Sequence, residues 1–147
     1  MNEDLKQKHL TAENSVMRAH QIPGHVRKHA KEMQEAFRED MDGAGVGRSN
    51  VPSLPDIYLH LVLLGLAKVE AGEKVEFSEV KKPRGAVASR IKFPILTDDS
   101  IRSLKERAEN GEFKITTGNE ISLISVAVRL MELAIDDNSS DQNETAN

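Results

Sequence analysis

Cationic and apolar side chains alternate in the segment "SRIKFPILTDD", residues 89–99. Arg90 and Lys92 alternate with Ile91 and Phe93, and a β-strand would place these two pairs on opposite faces. A guanidinium and an ammonium group on one exposed face can donate hydrogen bonds to an anionic or acceptor-rich ligand. Because a strand this short is not stable alone, the segment predicts both a covering core and a second strand.

A weaker form of the same pattern lies near the N-terminus in "SVMRAHQIPGHV", residues 15–26. A Pro-Gly pair leads from this segment into the next helix. We expect the two segments to pair as an antiparallel ribbon. Its outward face would then carry Arg18, His20, Arg90 and Lys92. The opposite orientation of the first strand would instead put these residues on one face: Val16, Arg18, His20 and Ile22.

Two helices follow each predicted strand, and the second helix of each pair is the more apolar. The first pair covers residues 24–39 and 53–71, and the second pair covers about 97–110 and 119–135. A helix that is apolar on nearly every side is buried all round. The predicted fold is therefore mainly α with a short two-stranded antiparallel ribbon, and a short extended piece is expected within residues 112–119.

The order strand, amphipathic helix, Gly-containing turn and buried helix occurs twice along the chain. This order resembles the ribbon-helix-helix family of DNA-binding proteins, which includes the Arc and MetJ repressors. It is also similar to the single-chain, two-repeat TraY-type accessory proteins of conjugative DNA transfer. The resemblance covers residues 15–135 as a pattern without an invariant motif. It implies a tandem ribbon-helix-helix pseudo-dimer in one chain, whose ribbon enters the major groove of DNA.

The charge distribution sets the predicted domain boundaries. The net charge of −4 comes mostly from the two ends of the chain, so a binding face depends on local clusters of cations. The expected segments are a disordered N-terminal tail (1–14), a first repeat (15–71), a basic linker (72–88), a second repeat (89–136) and an acidic disordered tail (137–147).

The predicted DNA contacts fall into two groups. The outward ribbon residues would face the bases, since Arg and Lys can donate to O6 and N7 of guanine. Phosphate contacts are expected from the linker and from the N-termini of the two buried helices, as the family resemblance also implies. The predicted phosphate-binding residues are Lys81, Lys82, Arg84, Ser53, Asn119 and Ser122. The linker cations are equally compatible with a solvated surface.

Other kinds of site find little support in the sequence. His25 and His29 have a spacing that can hold a metal, but no third ligand is evident and the chain has no cysteine. The glycines in "GAGVG" follow a helix and precede no Lys-Ser/Thr pair, so they do not form a P-loop. No nucleophile or carboxylate pair stands out. We therefore expect no metal, no cofactor and no enzymatic activity.

The sequence predicts a sequence-specific double-stranded DNA-binding protein of a bacterium or plasmid. It would act as a transcriptional regulator, such as a repressor, or as a relaxosome accessory factor in conjugative transfer. Expected partners are duplex DNA, further copies of the chain on adjacent DNA sites, and a protein of a nucleoprotein complex. No segment suggests a membrane span or signal peptide, so a cytoplasmic location is expected. The alternative is a small helical protein–protein interaction module that does not bind DNA.

Overall fold

The structure, a computed structural model, describes residues 15–43, 51–80 and 83–146, with side chains described to residue 40 in the first range and to 136 in the last. The expected mainly helical class with a short antiparallel ribbon is confirmed. The elements are β1 (Ser15–Ile22), α1 (Gly24–Gly43), α2 (Leu54–Glu70), β2 (Glu76–Phe77), β3 (Val87–Pro94), α3 (Ile95–Glu109), β4 (Lys114–Ile115) and α4 (Leu123–Ala146).

The ribbon consists of β1 and β3, which pair antiparallel over eight residues each. Ser15 lies opposite Pro94, and Ile22 lies opposite Val87. The helix after β3 begins at Ile95 and not at the predicted Thr97, with Pro94 at its N-cap position. Proline has no N–H to donate, and its backbone angle suits the start of a helix. Pro94 therefore ends the hydrogen bonding between the two strands and also precedes the first residue of the helix.

The hydrophobic core lies between the inner face of the ribbon and the helices. Ile22, Ile91 and Phe93 of the ribbon have no exposed surface. As predicted, α2 and α4 are the most buried helices, because they carry apolar residues on several faces. Core residues from these two helices include Leu61, Val62, Leu66, Val126, Leu130 and Met131.

The two buried helices cross at a glycine. A Cβ atom added to Gly65 of α2 would overlap the carbonyl group of Leu130 in α4. No side chain fits in that space, so the backbones of the two helices are in direct contact at this point. This contact joins the N-terminal half of the chain to the C-terminal half.

Part of the predicted basic linker folds onto the connection between α3 and α4. β2 pairs in parallel with β4, and the Thr116 N–H donates to the Phe77 carbonyl oxygen at 2.8 Å. Phe77 is fully buried, and its ring meets Phe113 edge to face. The extended piece expected within residues 112–119 is therefore present as β4.

Two helices extend beyond their predicted ends. α1 continues to Gly43, and α4 begins at Leu123 and runs to Ala146. α4 thus continues through residues 137–146, for which composition favours a disordered acidic tail. The expected N-terminal tail, residues 1–14, lies outside the described residues.

We expect Gly65→Ala to lower the free energy of unfolding by about 1–3 kcal/mol, because the new methyl group would overlap the backbone of α4. In the absence of this overlap, alanine stabilises a helix relative to glycine by about 1 kcal/mol, so helix propensity alone would raise the free energy of unfolding. Urea unfolding followed by circular dichroism measures the change. Leu64→Ala, at the exposed neighbouring position, is the control and should cost less. A Gly65→Ala variant as stable as the original would contradict the close crossing.

Candidate nucleic-acid interface

The outward face of the ribbon, called the ribbon face below, is made by three residues from each strand. Across the strands, Met17 lies opposite Lys92, Ala19 opposite Arg90, and Gln21 opposite Ala88. All six are exposed, with Met17 57 % accessible. The ribbon face therefore combines two cations, one amide and three apolar side chains, and none of its residues is acidic. The members of the ribbon face are Met17, Ala19, Gln21, Ala88, Arg90 and Lys92.

The predicted outward orientation holds for β3 and is wrong for β1. Arg90 and Lys92 are exposed, as expected, whereas His20 is only 1 % exposed and Arg18 is half-buried. Residues directly opposite in an antiparallel pair point to the same face, and Arg18 lies opposite the buried Ile91. The alternative orientation, in which the even-numbered residues of β1 share the inner face, is the observed one.

Arg18 is turned inward because its charge is paired. Its Nε donates to Oδ1 of Asp98 at 2.8 Å and its Nη2 to Oδ2 at 3.3 Å, while Arg102 Nε donates to the same Oδ2 at 2.9 Å. The Asp98 side chain is only 2 % exposed. The hydrogen bond from Arg18 lowers the pKa of Asp98 against the opposing effect of burial, and Arg102 lowers it further. This ion pair ties β1 to the first turn of α3.

His20 is packed as a core residue. Its ring meets Phe93 edge to face with centroids 5.4 Å apart. Nδ1 lies 3.1 Å from the carbonyl oxygen of Arg18, which can only accept, so Nδ1 carries the proton. Burial lowers the pKa of His20, and its Nε2 has no hydrogen-bond partner among the described residues. A neutral ring enclosed by the core cannot read a base from this position.

The N-terminus of α2 is exposed at its cap. Ser53 is the N-cap residue, and its hydroxyl oxygen accepts from the Asp56 N–H at 3.3 Å. Pro55 occupies the first turn, where its missing N–H breaks no helical hydrogen bond. Ser53 itself is exposed, so this predicted phosphate contact remains geometrically open.

The N-terminus of α4 differs in that two carboxylates accept hydrogen bonds from the residues just before the helix. The Ser122 N–H donates to Glu79 Oε2 at 2.8 Å, and the Ile121 N–H donates to Glu109 Oε2 at 3.0 Å. The Ser122 hydroxyl donates to Ser125 Oγ at 3.1 Å. Of the two predicted phosphate ligands here, Ser122 is engaged within the protein, and Asn119 is exposed beside it.

The linker cations are only partly described. Arg84 is exposed, and its carbonyl oxygen accepts from the Gly24 N–H at 3.2 Å, which holds it beside the start of α1. Gly85 next to it has a φ of +69°, a value that favours glycine. Lys81 and Lys82 lie outside the described residues.

The described part of the chain offers no metal site. His25 instead lies with Nε2 at 2.9 Å from Glu132 Oε2. Within the described ranges, no group of three or more His, Cys, Asp or Glu side chains could hold a metal ion. None of the described helices combines the length and the apolar composition needed to cross a bilayer.

The sequence reasoning missed four of the six members of the ribbon face, namely Met17, Ala19, Gln21 and Ala88, the last of which was predicted to lie in the linker. A signal for the correct orientation was present, because the β-branched residues Val16 and Ile22 lie on the same face of the strand as Arg18 and His20.

Comparison with protein-family models, with curated proteins and with solved structures finds no match to this chain.

We expect Asp98→Asn to lower the free energy of unfolding by about 2–4 kcal/mol at pH 7, because it leaves Arg18 half-buried without a counter-charge. The folded-state pKa of Asp98 is lowered, so the ion pair contributes fully above the ordinary aspartate value of 3.8 and is lost as the pH falls through the folded-state pKa. The stability difference should therefore narrow below pH 3.8.

Asp99→Asn is the matched control, since Asp99 is the exposed neighbour of Asp98. Its stability should follow the original protein at every pH. Chemical unfolding at several pH values measures both variants, and a difference for Asp98→Asn that does not change with pH would contradict the role of the ionised carboxylate.

Proposed function

We propose that this protein binds double-stranded DNA sequence-specifically by inserting the ribbon face into the major groove. It would act as a transcriptional regulator or as an accessory factor in plasmid or conjugative transfer. The observation that carries the proposal is an exposed two-stranded ribbon with Arg90, Lys92 and Gln21 on its outer face and no acidic residue among them.

The side chains of the ribbon face suit base recognition. A two-stranded β-ribbon fits the major groove, which is about 12 Å wide. Arg90 and Lys92 can donate to O6 and N7 of guanine, and the amide of Gln21 can bond N6 and N7 of adenine. Ala19 and Ala88 can contact the methyl group of thymine. The face therefore has donors, an acceptor and small apolar groups.

The register supports the tandem pseudo-dimer. When Pro23 after β1 is aligned with Pro94 at the end of β3, Ala19 corresponds to Arg90, and these two residues also lie opposite each other in the ribbon. A twofold axis through the centre of the ribbon requires that the two central residues correspond in the two repeats and also lie opposite each other. The side chains at matched positions differ, so the two halves of the DNA site would differ in sequence.

The exposed end of α2 supports one flanking phosphate contact. Ser53 caps the N-terminus of α2, where the helix dipole favours an anion, although Pro55 has no N–H and the Asp56 N–H already donates to the Ser53 hydroxyl. Arg84 would add a second cationic contact from the linker. Phosphate contacts hold the ribbon in register, and the base contacts supply specificity.

The double variant Arg90→Ala/Lys92→Ala should bind DNA at least about tenfold more weakly, because each good base contact contributes roughly 1–3 kcal/mol of discrimination. Fluorescence anisotropy with a duplex selected from a random library measures the affinity. Lys28→Ala/Lys31→Ala is the control, since it removes the same charge from exposed positions of α1. Equal losses in the two variants would contradict insertion of the ribbon. A native protein that binds no duplex even at low salt would instead favour the helical interaction module.

Gln21→Ala should relax the base preference at one position of the selected site while leaving the others unchanged. The reason is that Gln21 lies on the exposed face, whereas its neighbour in the same strand, His20, is buried. Repeating the selection with this variant and comparing the base frequencies tests the assignment. A change of preference at every position, or at none, would contradict a direct contact by Gln21.

A further inference from the structure

A cavity of about 450 Å³ lies between β1, the linker and α4. β1 borders it with three consecutive residues, 19–21. Because consecutive side chains of a strand point to opposite faces, the cavity lies at the edge of β1 and not on one of its faces. β3 pairs with the other edge, so within the described chain this edge has no partner strand. The volume falls within the range of small-molecule sites, about 300–1,000 Å³.

His20 is the most deeply buried residue that lines the cavity, with 1 % of its surface exposed. Its Nδ1 bonds to the carbonyl oxygen of Arg18, whereas its Nε2 is buried and has no hydrogen-bond partner among the described residues. Burial lowers the pKa of His20, so Nε2 carries a lone pair and no proton at neutral pH. A buried acceptor without a donor is costly, and a donor on a bound molecule would satisfy it.

Ser125 supplies a second polar group to the wall of the cavity, and it is also buried. Its Oγ accepts from the Val80 N–H at 3.2 Å and from the Ser122 hydroxyl at 3.1 Å. Since both lone pairs of the oxygen are then used, the hydroxyl proton of Ser125 can be donated to an acceptor on a ligand.

Apolar side chains make up another part of the wall. Val80 and Pro83 come from the linker, and Ile124 and Val128 lie one turn apart on α4. Val80 and Ile124 are large apolar residues that remain exposed. An apolar ring in the cavity would remove part of this surface from water, which favours binding.

The charged groups of the lining disfavour an anion. Glu76 and Glu132 are acidic, and Arg129 is the one cation among the described lining residues. Arg129 Nη1 lies 3.6 Å from Asp136 Oδ2 and 3.9 Å from Glu132 Oε1, so carboxylates already balance its charge. A neutral or cationic ligand therefore fits this lining better than an anionic one.

We propose that the cavity binds a small neutral or cationic nitrogen heterocycle, whose ring N–H donates to Nε2 of His20 and whose apolar part lies against Ile124 and Val128. This site goes beyond the proposed DNA binding and does not depend on it. Its test uses the protein alone, so its failure would leave the proposed function standing.

Indole and benzimidazole are the probes, and N-methylindole and N-methylbenzimidazole are their counterparts without a ring N–H. Titrations followed by NMR of the labelled histidine ring nitrogens measure the affinity and show whether Nε2 of His20 accepts a hydrogen bond. The two N–H probes should bind and shift the Nε2 resonance. Each methylated counterpart should bind at least about tenfold more weakly, because a methyl group replaces the donor. Failure of both N–H probes to bind, or equal binding of the counterparts, would overturn the proposal.

Indole carboxylate tests the preference for an uncharged or cationic ligand. It has the ring and the N–H group of indole but adds a negative charge. It should bind more weakly than indole, because the described lining carries more acidic than basic groups. Binding as tight as that of indole would overturn this part of the proposal.

His20→Asn tests the acceptor. The asparagine amide can still donate to the Arg18 carbonyl oxygen, but it has no atom at the position of Nε2. The variant should lose both the assigned Nε2 resonance and the difference in affinity between indole and N-methylindole. A folded variant, as judged by circular dichroism, that retains this difference would overturn the role of His20.

Ile124→Trp tests the location, because the larger side chain would fill part of the cavity. It should abolish the binding of indole. Leu96→Trp is the matched control, since Leu96 is exposed to the same degree but does not line the cavity. Unchanged binding by Ile124→Trp, or equal losses in the two variants, would overturn the site. This pair also decides the question if His20→Asn does not fold.

Discussion

The structure depends on the pairing of β1 with β3. Neither strand has another partner in its sheet, and each comes from a different half of the chain. Pairing them closes a loop that contains α1, α2 and the linker, and the entropy cost of closure rises only slowly with loop length. The pairing also brings the halves close enough for α2 and α4 to cross at Gly65, where the backbones touch. A shift of register by one residue would reverse the faces of the ribbon and expose its apolar side.

The inner face of β1 carries two polar residues that the core accommodates specifically. Arg18 is matched by the carboxylate of Asp98, and His20 by a backbone carbonyl and the ring of Phe93. Buried polar groups are costly unless their partners are in place. The packing of β1 therefore requires β3 and α3 to be folded at the same time, which makes the N-terminal strand dependent on the C-terminal half.

Local patterns predicted the four helices, both strands of the ribbon and the extended piece at β4, but not β2 and not every face or contact. The apolar composition of α2 and α4 is visible in the sequence, and the alternation around Ile91 correctly oriented β3. The orientation of β1 was missed because polarity normally indicates exposure, and the partner that draws Arg18 inward is 80 positions away. The hydrogen bond between Ser122 and Glu79 was missed for the same reason, since the two residues are 43 positions apart. Contacts between residues this far apart in the chain cannot be recognised from the pattern of a short segment.

Joining both strands of the ribbon in one chain has a genetic consequence. In a dimer of identical subunits, every substitution in the strand is duplicated, so the two sides of the ribbon change together. In this protein the two strands of the ribbon are encoded by separate codons, so Gln21 of β1 and Lys92 of β3 can be substituted one at a time. Each strand of the ribbon can therefore evolve independently, and a mutation that alters one strand leaves the sequence of the other unchanged.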